Sequence, residues 1–199
     1  MGRIATALLT SLSPYSQSRF HNIPRGDKEN PEDHEARTWR ERLHKDEEGN
    51  VYIPPMALKN CITEAAQFLS VKIPNKGKAT YTKHFEAGIM VLERMSLRSP
   101  KDNTVIKAEV VRGDWIFTPS DGKRGGGSRV MKCYPVIDNW SGTAEFLILD
   151  DTITEPVFKY HLEQAGSLIG VGRFRVRNRG YYGRFKVEQL DWQEMTAAA

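Results

Sequence analysis

The sequence predicts an α+β fold of the ferredoxin-like kind: an open antiparallel sheet backed by two helices, enlarged by long loop insertions and a glycine-rich loop. Two observations carry this expectation. One helical pattern follows the first strand pattern, and a second precedes the last. The elements succeed one another as strand, long loop, helix, strands, an excursion, strand, helix and strand, the order of a split βαβ unit.

Residues 3–12 (RIATALLTSL) are mostly apolar and predict a strand buried on both faces, ended by Pro14. Residues 14–54 have little periodicity and many charges, with a short mixed-charge helix near 31–44; a connection this long is usually functional or mobile. Pro54-Pro55 opens a helix over 56–69, where Leu58, Cys61, Ile62, Ala65, Ala66 and Leu69 have core-facing spacing. Residues 71–85 read as a basic loop in which Lys72, Lys76, Lys78 and Lys83 are interleaved with Tyr81, His84 and Phe85, a mixture that suits a polynucleotide and equally an ordinary solvated loop. Residues 87–97 and 104–118 predict strands around the turn 99–103.

The glycine-rich loop 119–128 carries Lys123 and Arg124 and lacks the G-x-x-x-x-G-K-[ST] pattern, which excludes P-loop nucleotide hydrolysis there. Strands follow at 129–138 and 143–150. Thr154-Glu155-Pro156 begins a helix that runs to Ala165, with Phe158, His161, Leu162 and Ala165 inward, and stops at Gly166. The final strand spans about 183–190. The expectation is one domain over 1–199, with insertions at about 14–50, 71–85 and 113–130.

With 199 residues, 39% hydrophobic and 27% charged, the chain can bury a sizeable core and is not of disordered composition. Net charge is only +4, but it is uneven: acids crowd residues 27–48, and the C-terminal glycine-arginine segment has none. That asymmetry favours a localised anionic partner. Cys61 and Cys133 are the only cysteines and lack metal spacing, so neither a zinc site nor a disulfide framework is expected, and no cofactor. A reducing, cytoplasmic setting fits. No signal peptide or membrane-spanning run is apparent, so no membrane partner is expected.

The most informative stretch is residues 168–187, LIGVGRFRVRNRGYYGRFKV. Its cations are Arg173, Arg175, Arg177, Arg179, Arg184 and Lys186. Arginine forks donors onto phosphate, glycines such as Gly170 and Gly172 let backbone N–H groups approach an anion, and aromatic faces stack on unpaired bases. The spacing of Arg173, Arg175 and Arg177 puts them on one face of an extended chain, with Phe174 and Val176 turned to a core. A solvated hairpin whose charge protects a sheet edge is the plainer reading. Lys59 and Asn60, near the start of the first helix, join the list of anion-binding candidates.

Two motifs carry a family resemblance. Tyr52-Ile53-Pro54-Pro55-Met56-Ala57-Leu58-Lys59-Asn60 resembles the I-P-G-S-S-L-K-G opening of the first helix in the RAMP superfamily of CRISPR systems. Gly170-x-Gly172-Arg173-Phe174-Arg175, with Gly180-x-x-Gly183-Arg184-Phe185, resembles that superfamily's glycine-rich loop after the second helix. The chain is thereby similar to a divergent RAMP protein with an RRM-like fold, and in layout to the backbone subunits that polymerise along guide RNA.

The resemblance implies binding to the sugar-phosphate backbone of single-stranded guide RNA. It also implies copies of the chain and other effector subunits as partners, target RNA as a further one, and the excursion 113–130 or the loop 71–85 as a thumb. Phosphate contacts then fall to Lys59, Asn60, Arg173, Arg175, Arg177 and Arg179, with Gly170, Gly172, Lys123, Arg124 and Arg184 in the same surface. No chemistry of its own is expected. The alternatives are a RAMP-type endoribonuclease using Asp27 or Asp33, or a histidine among His21, His34, His44 and His84; a structural assembly protein, as in a phage; and a single-stranded DNA binder.

Overall fold

The computed structural model describes residues 2–120 and 127–195. Its strands are β1 (Arg3–Ser11), β2 (Tyr15–Ser16), β3 (Tyr52–Ile53), β4 (Ile89–Val91), β5 (Met95–Ser96), β6 (Arg112–Pro119), β7 (Arg129–Ile137), β8 (Ser141–Ile148) and β9 (Phe185–Glu194). Its α-helices are α1 (Pro31–Thr38), α2 (Pro55–Leu69), α3 (Thr82–Ala87) and α4 (Glu155–Gln164). The main sheet has the order β4-β8-β1-β9, every neighbouring pair antiparallel. With α2 after β1 and α4 after β8, this is the predicted ferredoxin-like arrangement.

The helix positions follow from local chemistry. Pro55 starts α2, whose residues Leu58, Cys61, Ile62, Ala65 and Ala66 are buried, and Ser70 ends it in the left-handed region at φ 47°. Asn30 caps α1 by accepting from the N–H groups of Glu32 (3.0 Å) and Asp33 (2.8 Å). Opposite α2 and α4, β1 presents Ala5, Ala7 and Leu9, all fully buried. The two alanines let the helices come close, and Phe146 meets Phe158 edge-on at 5.2 Å between centroids. Beyond the main sheet, β2-β7-β6 form a second sheet and β3-β5 a short ribbon.

Several expectations change. The strand predicted as buried on both faces is buried on one: Leu8, pointing away from the helices, is 37% exposed. The basic loop 71–85 ends in α3, whose Phe85 lies in the core. Residues 104–111 form no ladder beyond isolated bonds such as Ile106 N–H to Leu97 O (2.9 Å); the strand begins at Arg112. The second helix does not stop at Gly166. It continues as a π-helical turn over Ala165–Ile169, and Gly166 packs where a Cβ would sit 2.2 Å from the Phe185 carbonyl oxygen. The excursion 113–130 is the β6–β7 hairpin, and Lys123 and Arg124 lie outside the described residues.

Candidate nucleic-acid interface

The glycine-arginine segment is not an arginine comb. It is a compact loop, with positive φ at Gly170, Gly172, Phe174, Arg179 and Gly183. Those turns abolish the alternation that spacing alone implied, and Phe174, expected in a core, is 48% exposed. Backbone bonds fix the loop: Gly183 N–H donates to Pro14 O (2.7 Å), Val171 N–H to Gly183 O (3.0 Å) and Arg173 N–H to Ser16 O (2.8 Å). Gly172 is obligatory at φ 83°, because a Cβ there would meet Ser16 O and the Tyr15 ring at 2.4 Å.

Thus anchored, the loop lies against the second sheet. The Arg173 guanidinium sits 3.4 Å from the Tyr134 ring centroid and 4.1 Å from that of Phe174. Tyr182 donates its hydroxyl proton to Asp114 at 3.1 Å, and Asp114 lies directly across the ladder from Tyr134. Burial lowers the Arg173 pKa from its ordinary value, and its Nη1 is buried with no hydrogen-bond partner among the described residues.

Beside Tyr134 opens a cavity of about 440 Å³ whose lining includes Arg19, His21, His34, Arg42 and Lys132. One carboxylate organises it. Glu35 is 1% exposed and accepts from Arg42, from Lys132 Nζ (2.9 Å) and from the Cys133 N–H (2.8 Å). The reason lies in the sheet: β2 pairs only with Ile137 and Val136, so Cys133 has no strand partner on that side. Glu35 takes its N–H and Arg42 donates to its carbonyl at 3.1 Å, replacing the missing strand. Burial pushes the Glu35 pKa up, but Arg42, the Cys133 N–H and Lys132 outweigh it and hold the carboxyl below its usual value. Two cations on one carboxylate, with Arg19 beside them, leave the cavity positive. Burial and then Arg42 lower the His21 pKa, so its imidazole is neutral near pH 7, with Nδ1 buried and unpartnered among the described residues.

The structure sorts the sequence candidates. Arg177, Arg179 and Arg184 are exposed; Arg177 lies over Phe68 at 5.1 Å and Arg184 Nε donates to Ser167 O at 3.2 Å. Arg175 pairs with Glu64 at 2.6 Å. Lys59 donates to the carbonyls of Phe85 and Glu86 at the end of α3, and burial lowers its pKa; Asn60 is exposed on α2. Gly170, at φ 74°, is buried and shapes the loop without offering a surface.

The nuclease candidates do not converge. His21 and His34 line the cavity, but Asp27 and Asp33 do not, and Asp33 accepts from Asn30 Nδ2 at 2.6 Å. His44 faces the Tyr52 ring at 5.9 Å, and His84 binds Asp150 at 2.6 Å. Among the described residues no group of three or more His, Cys, Asp or Glu could hold a metal ion, and no helix is long and apolar enough to cross a membrane.

Sequence reasoning missed Arg19, Arg42, Lys132 and Tyr134. One signal was available: Lys132 and Tyr134 are two apart on a strand and so share a face.

No family model matches the sequence, and no curated protein does. Solved structures do match. One is a chain of the type III-B Cmr-beta complex bound to cognate target RNA (TM-score 0.56, 11% identity), with 97% of this chain covering 61% of that one. This chain therefore spans about three fifths of its length. Another is Cmr6 from Pyrococcus furiosus (TM-score 0.50, 13% identity), with 94% and 99% covered. At such identities the likeness is one of fold. With a divergent sequence, the chain shares its fold with Cmr6 and with a chain of the type III-B Cmr-beta complex.

Proposed function

We propose that the chain is an RNA-binding subunit of a CRISPR-type ribonucleoprotein, holding the sugar-phosphate backbone of single-stranded RNA across the glycine-arginine loop and the cavity beside Tyr134. The observation that carries this reading is Arg173. A half-buried guanidinium stacked on Tyr134 and Phe174, beside a cavity lined by Arg19, Arg42 and Lys132, brings charge and aromatic faces together. The exposed Arg177, Arg179 and Arg184 extend the positive surface along the loop. The fold shared with a chain from an RNA-bound complex agrees with it. RNA and other effector subunits are the expected partners, the cytoplasm is the expected setting, and no bond-breaking step is assigned.

The test is titration of fluorescent single-stranded RNA, with DNA of the same sequence alongside, over a range of salt. Each phosphate contact contributes a slope of about −0.7 in log affinity against log salt. Arg177→Ala with Arg179→Ala is expected to flatten the slope by about 1.4. Arg175→Ala should leave it unchanged, because Glu64 already compensates that charge. A wild-type chain that ignores RNA at low salt, or a double variant with the wild-type slope, overturns the reading.

A further inference from the structure

Helix α4 buries a histidine that neither the sheet nor the RNA surface uses. His161 is 1% exposed. Its Nδ1 lies 2.7 Å from the Val157 carbonyl oxygen. A carbonyl only accepts, so Nδ1 carries the proton and Nε2 is a bare lone pair. That Nε2 is buried and has no hydrogen-bond partner among the described residues. Its surroundings are rings: Phe85 at 4.3 Å between centroids, Tyr160 at 5.5 Å and Tyr81 at 5.7 Å. The site fits a neutral imidazole. An imidazolium would hold an N–H with nothing to receive it and a charge away from water. Burial lowers the His161 pKa from 6.5, against the weaker opposing effect of the bond to Val157.

Two of those rings belong to one excursion of the chain, residues 71–88, which leaves the end of α2 and returns through α3. Its buried side chains are Ile73, Tyr81 and Phe85, so two of the three rest on His161. It adds no strand to the main sheet; its bridge, Lys72 with Thr80, is internal. It can therefore lift away without breaking a ladder. Lys72, Lys76, Lys78 and Lys83 are exposed on it with no ion pair among the described residues, and their mutual repulsion favours lifting. The titratable groups that face His161 are Tyr81 and Tyr160. The charged groups nearby on α2 and α3 are engaged elsewhere: Lys59 donates to the Phe85 and Glu86 carbonyls, Glu86 accepts from Gln67 at 2.7 Å, and His84 binds Asp150. No carboxylate among the described residues hydrogen-bonds the His161 ring.

We infer that His161 is an acid-released latch: its neutral ring holds Tyr81 and Phe85 against α4, and its protonation frees residues 71–88 while the main sheet stays folded. With the segment open, the ring meets water and titrates near its ordinary value of about 6.5. With it closed, the ring resists the proton. The latch is therefore fully set above about pH 6.5, and the open fraction grows by up to about tenfold for each pH unit below that, until the pKa of the closed form is reached. The inference concerns the helix layer and does not depend on RNA binding.

Hydrogen exchange of the full chain, read by mass spectrometry from about pH 8 to pH 5 and corrected for the intrinsic pH dependence of exchange, tests it. The reporting amides are Tyr81, Phe85 and Gly88, which donate to the carbonyls of Val71, Tyr81 and His84. Their protection should be constant above about pH 6.5 and fall by up to about tenfold per unit below it, while β1, β8 and β9 keep theirs. His161→Phe keeps a ring and removes the titration, so protection over 81–88 should become independent of pH. His84→Asn should keep the wild-type pH dependence. Protection in the wild type that ignores pH overturns the inference, and so does a loss shared equally by the strands of the main sheet. A pH dependence that survives in His161→Phe but vanishes in His84→Asn assigns the effect to the other histidine and refutes the latch. Where His161→Phe fails to fold, the imidazole resonances of the wild type decide: His161 should stay neutral in the closed form below pH 6.5, and a closed form in which it protonates at about 6.5 or above is incompatible with the latch.

Discussion

Replacing Glu35 by alanine tests whether one carboxylate holds α1 to the second sheet. Its side chain is 1% exposed, and its partners are Arg42, Lys132 and the Cys133 N–H. Breaking a buried pair by removing one partner costs about 3–5 kcal/mol. The lower end applies here, because the Lys132 side chain is 36% exposed and can turn to water, whereas Arg42 at 13% cannot do so freely. A loss of about 3 kcal/mol corresponds to a drop in melting temperature of roughly 6–12 °C for a chain of this size. Glu35→Gln keeps an acceptor for the Cys133 N–H and should lose about half as much.

The pH dependence has a definite sign. A carboxyl with a depressed folded pKa stabilises fully above its unfolded pKa, about 4.3, and that contribution fades as pH falls through the folded value. The gap between wild type and Glu35→Gln should therefore be constant near neutrality and close in acid. Thermal melts followed by circular dichroism at several pH values read both effects. A Glu35→Ala midpoint within about 1 °C of the wild type, under about 0.5 kcal/mol on the same scale, refutes the argument. So does a gap that widens in acid. Folded Glu35→Gln should bind RNA at least as tightly as the wild type, since Arg42 and Lys132 lose their compensating charge.

Two further outcomes follow from the same geometry. Gly172→Ala must place a methyl group 2.4 Å from Ser16 O at φ 83°, and should lower stability by at least about 1–3 kcal/mol in a denaturant titration, with weakened RNA binding as Arg173 leaves Tyr134. Burial pushes the Cys61 thiol up to about 12 and the Cys133 thiol up to about 11, so both should stay silent to a thiol-reactive chromogen at pH 8 until denaturant is added. Rapid labelling of either thiol in the native protein contradicts their placement.

The sheet and its helices were legible in the sequence because they rest on periodicity. Leu58, Cys61, Ile62, Ala65 and Ala66 recur at helical spacing, and all are buried. The interface was legible in composition but not in shape. Arginines two apart look like one face of a strand, yet the glycines among them permit the positive φ values that fold the segment into a loop. Composition also could not show which charges are already compensated: Glu64 takes Arg175, and two helix-end carbonyls take Lys59. The cavity was hidden for a different reason. Arg42 on a one-turn 3-10 helix, Tyr134 on β7 and Arg173 after the π-helical turn meet only because the β6–β7 sheet folds back over both loops.

That convergence also sets the open sheet face apart from the cluster of cations and exposed rings. RRM-type sheets stack bases on aromatics of the exposed strands. Here the aromatics of the main sheet, Phe146, Phe185 and Trp192, point into the helix layer or are largely covered, and the exposed rows carry Glu145 and Asp191. Stacking capacity has moved to Tyr134 and Phe174, and the cations have moved with it.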